Sequence, residues 1–330
     1  MNDDAIRAAA ARLVVAGDSR PRAARDPVNL PMIRNWIEAI DPNGPDDPVE
    51  AKSASWSDFS PRIGLDYQWT PTFMTYASIA KGYKGGGFNG RANSVAYFTE
   101  FKPEDVWTYE IGLRSDLFSR KVRFNATAFY SDYKNMQLPL DGATVINGAP
   151  APFNLVVGAP RSRIAGGEAE LVVAASRSLT LSGGLGLTYG KYLKLPDDPL
   201  FLATQLVKKD GHFINAPELS ATASAEYRLP LGSRISASAR VDYSYRSSTY
   251  FDRLNSLYLR QEGYSLVNAR FTVSDEVSQI SLSVFGTNLT NRRYIVGGYN
   301  DADTPHPALG FTSVVMGRPR EYGVSMQVRF

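Results

Sequence analysis

Cysteine is missing from this 330-residue sequence, which excludes a disulfide framework and any thiolate metal site and leaves the redox compartment open. Histidine occurs only twice, as His212 and His306. Neither has a second ligand at metal-binding spacing, so both read as loop residues. Charge of one sign is scarce too: 36 Lys and Arg stand against 33 Asp and Glu, a net charge of +3. No basic run interleaves with aromatics as a nucleic-acid groove requires, so nucleic acid is not an expected partner. No stretch of about 18 apolar residues occurs, which excludes a membrane helix but not a membrane barrel, whose strands conceal their hydrophobicity in alternation. A secretory leader needs an unbroken apolar core, and Arg7 and Arg12 interrupt the one candidate, residues 5–17, so no export signal is visible. No cofactor is expected.

What is present falls into two parts. Residues 1–57 carry Ala and Arg first and then Ile33, Trp36, Ile37 and Ile40 at helical spacing. That pattern predicts a short amphipathic helix, stopped by a Pro/Asp/Gly cluster over 41–48 that serves as a linker. Residues 58–330 form the second part, and there the apolar period becomes two. Ile63, Leu65, Tyr67 and Trp69 alternate with Arg62, Gly64, Asp66 and Gln68; Trp107, Tyr109, Ile111 and Leu113 alternate with Thr108, Glu110, Gly112 and Arg114. Further strands are predicted over 72–82, 122–130, 165–173, 179–189, 219–229, 235–245, 267–273 and 280–286. The last strand places Tyr322, Val324, Met326, Val328 and Phe330 on one face.

Three regularities point to an all-β fold that is part of an antiparallel transmembrane β-barrel, about eleven strands of it. Several strands run 10 to 16 residues, whereas globular strands have about five or six and a tilted membrane strand needs about 9 to 11. Short turns alternate with long excursions, over 84–102, 138–160, 193–216, 251–262 and 291–318, as periplasmic turns alternate with extracellular loops. One face is aliphatic with terminal Tyr or Trp, while the other carries Glu110, Arg114, Glu168, Glu170, Glu226, Arg228, Arg240, Asp242, Arg246 and Arg270. Such charges are ruinous in lipid and suit a wet lumen, or whatever fills one. Eleven strands also leave two edges whose backbone groups lack partners, so another barrel half is an expected partner, alongside outer-membrane lipid.

The glycine-rich stretch 81–91 lacks the Gly-Lys-Ser/Thr ending of a phosphate loop and precedes no helix, so it is not a nucleotide site. It reads equally as a mobile loop root and as a ligand contact through Lys84 and Arg91. A barrel enzyme would need a Ser/His or Asp/His set at its rim, and no nucleophile motif accompanies either histidine, so no catalytic residue is expected.

The segments GRPREYGVSMQVRF at 317–330, NLTNRRY at 288–294 and PEDVWTYEIGLRSDLFSRKVRFNATAFYSDYKNMQL at 103–138 resemble, in order, the C-terminal half of a TonB-dependent outer-membrane receptor. The string KGYKGGGFN at 81–89 is similar to a segment of the same family. The resemblance implies a 22-stranded barrel closed by an N-terminal plug, of which residues 58–330 supply about eleven strands and residues 1–57 are not the plug. It implies uptake of a ferric siderophore or similar scarce nutrient across the outer membrane, with energy from a TonB system, although no TonB box is found here. It also implies barrel-assembly machinery as a partner, reading Tyr322 and Phe330 as the assembly signal. Lys208, Lys209, Arg292 and Arg293, in or beside external loops, are then candidates to meet an anionic ferric chelate or a lipopolysaccharide phosphate, with solvated surface charge as the plainer reading. Residues 25–51, RDPVNLPMIRNWIEAIDPNGPDDPVEA, weakly resemble the start of MaoC-like hot-dog dehydratases, without that family's catalytic Asp/His part. The alternatives left open are a soluble all-β binding protein and a non-functional fusion carrying a dehydratase remnant.

Overall fold

A computed structural model describes residues 53–90, 98–146, 149–197, 207–300, 302 and 310–329. The amphipathic helix expected near 33–40, with most of the N-terminal segment, lies outside the described residues, as do Arg91, His306 and Phe330.

In chain order the strands are β1 Arg62–Thr70, β2 Phe73–Lys84, β3 Gly87–Phe88, β4 Glu100–Phe101, β5 Glu104–Leu117, β6 Val122–Ile146, β7 Ala149–Ala174, β8 Leu179–Lys194, β9 Leu219–Pro230, β10 Ile235–Arg246, β11 Thr249–Tyr250, β12 Arg260–Gln261, β13 Tyr264–Asp275, β14 Ile280–Thr287, β15 Ile295–Asn300, β16 Thr312–Met316 and β17 Glu321–Val328. Eleven of them form one sheet in the order β1-β2-β5-β6-β7-β8-β9-β10-β13-β14-β17, and the other six make three two-stranded ribbons in the connections. Every sheet neighbour is antiparallel. The eleven strands expected from the period-two pattern are therefore the eleven found.

One expectation fails. Residues 138–160 are not a loop, because β6 and β7 stay paired through Leu140↔Leu155 to Ile146↔Ala149, making strands of 25 and 26 residues. Pro139, Gly142, Pro150, Pro152 and Gly158 suggested a loop, since proline removes a ladder donor and glycine adds entropy. Met136, Leu138 and Leu140 on one strand and Leu155, Val157 and Ala159 on the other nonetheless keep the period of two. Leu138, Leu140, Leu155 and Ala159 are buried together with Tyr192 and Val207, against Phe213 and Leu195. Burying these apolar faces outweighs the weak local propensity.

Turn chemistry explains the other end of the sheet. Phe118, Ser119 and Arg120 occupy the left-handed region between β5 and β6, Gly232 does so between β9 and β10 at φ 99, and the Ser176 hydroxyl accepts from the amides of Ser178 and Leu179 between β7 and β8. Asp275 caps the β13–β14 turn by accepting from the amides of Val277 and Ser278. Arg234 of the neighbouring turn donates its Nε to both Asp275 carboxylate oxygens, at 3.0 and 2.9 Å. These short turns lie at one end of the sheet and the ribbons at the other.

The core sits at the ribbon end. Among the described residues the buried hydrophobic side chains are Leu138, Leu140, Leu155, Ala159, Tyr192, Val207, Ala237 and Leu259, and all but Ala237 belong to the connections or the strand ends beside them. Among the described residues the sheet is a single layer with no second layer packed on it and so no sandwich core.

Candidate functional site

Alternation along each strand, carried across the sheet by register, sorts the side chains onto two faces. One row runs Ala239↔Phe271↔Val284↔Val324, and its parallel rows hold Leu65, Ile111, Leu171, Leu185 and Val241. This face is bare: Leu65 is 75% exposed and Met326 69%. So large an apolar surface far exceeds the few hundred Å² that a water-soluble monomer ordinarily shows.

The opposite face holds the ten residues the sequence singled out, Glu110, Arg114, Glu168, Glu170, Glu226, Arg228, Arg240, Asp242, Arg246 and Arg270. Register makes Glu226, Arg240 and Arg270 neighbours in one row, continued by Phe285. Arg240 donates Nε and Nη2 to Asp242 at 2.9 and 2.7 Å, and Nη1 to Glu226 at 3.2 Å. Arg228 binds the other oxygen of Glu226. Arg270 lies instead 4.8 Å from the Phe285 ring centre and reaches Ser325 at 3.4 Å; no carboxylate pairs with it among the described residues. Across the sheet Arg114 sits 5.7 Å from the Tyr76 ring centre, in a groove of about 530 Å³ shared with Gln68, Asn125, Glu168 and Glu170. On this face β7 carries Glu168 and Glu170 and β13 carries Arg270, while β9 and β10 carry both signs, Glu226 beside Arg228 and Asp242 beside Arg240.

Sequence reasoning missed the aromatics on this polar face. Tyr76 crosses β5 to hydrogen-bond Thr127 at 2.8 Å, over Gly112, where an added Cβ would lie 2.6 Å from the ring. Phe285 likewise lies over Gly323, 2.4 Å from an added Cβ there. The available signal was a glycine in the register position beside an aromatic, a pairing that fills the gap glycine leaves in a strand.

At the ribbon end the connections are tied by side chains that imitate backbone. Asn89 donates to Val156 O at 3.2 Å and accepts from Val156 N at 2.6 Å, joining the 85–103 connection to the β6–β7 hairpin. Gln137 donates to Gly85 O at 2.8 Å. Asn255 ties residues 207–218 to 247–263, and Gln261 accepts from Ile295 N at 2.6 Å. His212 stacks on Tyr250 with ring centres 5.5 Å apart, and Arg260 lies 5.8 Å from the same ring. No cluster of His, Asp and Glu suited to a metal ion exists among the described residues.

The remaining sequence-predicted positions fall at separate loop roots. Lys84 ends β2, opposite Glu104. Lys208 donates its amide to Arg253 O at 3.0 Å, and both Lys208 and Lys209 are exposed. Arg292 donates its amide to Asn288 Oδ1 at 2.8 Å, and Arg292 and Arg293 are exposed. No contact brings these three places together among the described residues. Tyr322 stands on the apolar face of β17, opposite Gly286. Before β1, Asp58 accepts from Lys81, which also pairs with Asp105 at 2.9 Å. The bonds from Lys81 and then Ser60 hold the Asp58 carboxyl below its ordinary value.

Comparison with known proteins agrees with this geometry. The family model described as "TonB dependent receptor-like, beta-barrel" matches residues 35–292. A metal-pseudopaline receptor of Pseudomonas aeruginosa is 23% identical over 273 residues, 82% of this chain and 33% of that protein. The ferric yersiniabactin uptake receptor of Yersinia pestis superposes with a TM-score of 0.63 at 20% identity, over 82% of this chain and 37% of that one. A separate match of 40 residues, 58% identical, covers 12% of this chain and 13% of the alpha subunit of a 3-oxo-4,17-pregnadiene-20-carboxyl-CoA hydratase of Mycobacterium tuberculosis. The chain therefore spans about a third of the length of the receptors it matches.

Proposed function

Because this chain belongs to the TonB-dependent receptor β-barrel family, we propose that it forms wall of an outer-membrane receptor that takes up a ferric siderophore or a similarly scarce, metal-bearing nutrient. The observation that carries the reading is the two-faced single layer: an exposed apolar face for lipid, and a charged face that becomes the lumen wall. Charges such as Arg270 are tolerated there because lumen positions meet water or protein rather than hydrocarbon. The ribbon end is the extracellular side in this reading, and among the described residues Lys84, Lys208, Lys209, Arg292 and Arg293 are cations available there to an anionic chelate.

Closure imposes a further condition. With eleven antiparallel strands, β1 and β17 run in the same direction. A second copy turned about the membrane normal would bring β17 beside β1 in parallel, so antiparallel completion needs an odd number of additional strands from elsewhere. The partners of the reading are therefore a complementary set of strands, the lipid, the barrel-assembly machinery and an energy-coupling TonB system.

The test is fractionation of the exported chain, followed by titration with ferric siderophores read through intrinsic fluorescence. Recovery from outer membranes with detergent dependence is expected, and Lys208→Ala/Lys209→Ala should weaken an anionic chelate about ten-fold. Recovery without detergent would overturn the reading. The hydratase likeness supports a second, narrower reading, a fused dehydratase remnant, and turnover of an enoyl thioester by the full chain would establish it.

A further inference from the structure

β1 and β17 are the two ends of the eleven-strand order, and each has a strand neighbour on one side only among the described residues. Along its free side each therefore presents a row of unpaired amides and carbonyls, which hydrocarbon does not tolerate. All nine residues of β1 are exposed and so are seven of the eight in β17, so no described loop covers either edge.

The side chains of the two edges match. Register puts Arg62, Gly64, Asp66 and Gln68 on the charged face with Tyr76, and Glu321, Gly323, Ser325 and Gln327 on the same face with Phe285. The apolar face receives Ile63, Leu65, Tyr67 and Trp69 from one edge and Tyr322, Val324, Met326 and Val328 from the other. Both strands run from the ribbon end to the turn end. In that direction the charges come in opposite order, Arg62 then Asp66 on β1 and Glu321 then Arg329 at β17. Placing β1 beside β17 thus brings unlike charges together towards each end. Placing either edge beside its own copy instead sets Arg62, Asp66 or Glu321 against itself, which is unfavourable at strand spacing. Tyr67 and Met326 also fall on the same face, where thioether and ring attract. Within one chain the two edges do not pair, so the match is made between copies.

We propose that a second copy of this chain completes the wall, with β1 of each copy pairing in parallel with β17 of the other. A two-fold axis along the membrane normal makes the two seams equivalent, so the assembly closes instead of growing into a filament, and no strand edge is left in lipid. Parallel pairing is slightly less stable per residue than antiparallel. Odd-stranded membrane barrels nevertheless occur, and any such ring contains one parallel seam. The inference rests on the membrane reading given above and names the complementary strands that reading calls for; the lumen wall is incomplete without the second copy.

The experiment takes the full chain from outer membranes into neutral detergent micelles, where native mass spectrometry should find two copies per particle. The sequence has no cysteine, so Leu65→Cys/Val324→Cys treated with a short bis-maleimide should give a covalent dimer. Either substitution alone should give none, because the two copies of one position lie on opposite sides of the ring. Glu321→Lys should lower the dimer fraction about three-fold, as an exposed ion pair allows, and Arg62→Glu added to it should restore the dimer. One copy per particle, a cross-link confined to one chain, a ladder of higher masses, or one copy bound to a different polypeptide would each overturn the proposal, as would indifference to the charge reversal. Recovery of the wild type is scored separately: single copies recovered from membranes with detergent dependence sink this inference alone, whereas recovery without detergent sinks the reading beneath it as well.

Discussion

Asn255 grips both backbone groups of His212: its Oδ1 accepts from the His212 amide at 2.6 Å and its Nδ2 donates to the His212 carbonyl at 3.1 Å. A side chain thus reproduces one rung of a β-ladder between two connections that are 43 residues apart. Asn255 is 7% exposed and stands at φ 55, a left-handed conformation that asparagine adopts more readily than most residues. Replacing it by alanine leaves both groups of His212 without this partner, at about 1–3 kcal/mol. Asn255→Ala should therefore speed hydrogen exchange at the His212 amide and proteolysis within 207–218 while leaving exchange in β9 and β10 unchanged. Unaltered exchange at His212 would show that this bond does not hold the two connections together.

The division between faces predicts opposite outcomes for two nearby substitutions on β9. Ala225 lies in the apolar row with Leu181 and Val241, whereas Thr222 lies on the charged face beside Ser244 and Gly184. An arginine placed on the lipid side near mid-membrane costs about 2–4 kcal/mol, and one on the lumen side costs little. Ala225→Arg should lower the yield recovered from membranes and the urea midpoint in micelles, and Thr222→Arg should retain both. Equal losses would contradict the assignment of faces.

Gly112 gives a third prediction, because the Tyr76 ring occupies the place of its missing side chain. Gly112→Val must displace the ring, break its 2.8 Å bond to Thr127 and detach it from Arg114. Overpacking of this kind costs about 1–3 kcal/mol, measurable as a lowered unfolding midpoint. A double change, Gly112→Val with Tyr76→Ala, should recover part of that loss, since the collision is removed.

The Asp58–Lys81 contact carries a pH dependence. Hydrogen bonds from Lys81 and then Ser60 lower the Asp58 carboxyl from its ordinary 3.8. A carboxyl lowered by folding contributes stability that is complete above its unfolded value and lost as pH falls through its folded one. The contact should therefore persist from neutrality to about pH 4 and open only below that. Carboxyl NMR of Asp58 should give a midpoint below the ordinary value, moving back up in Lys81→Met. A midpoint at or above the ordinary value in the wild type would refute the contact.

Much of this architecture could be read from residues alone, but not all of it for the same reason. Ile63 to Trp69 and Tyr322 to Val328 announce their strands and faces because side-chain direction in an extended chain has a period of two, whatever surrounds it. The β6–β7 hairpin beyond residue 138 was hidden behind its prolines and glycines, since its stability comes from Tyr192, Val207 and Phe213, which are distant in sequence. The charged row was hidden in another way: Glu226, Arg240 and Arg270 come from three strands, and only register makes them neighbours. The tie between Asn255 and His212 left no sequence signal, because an asparagine in a loop reads as a turn residue.

The amino-acid order by itself determined that the chain would form long two-faced strands with turns short and long in alternation, because alternation and turn chemistry act over a few residues. The tertiary structure alone decided which residues meet across strands, where the small core forms and which cations remain unpaired. Those outcomes depend on register and burial, which join residues far apart in the chain.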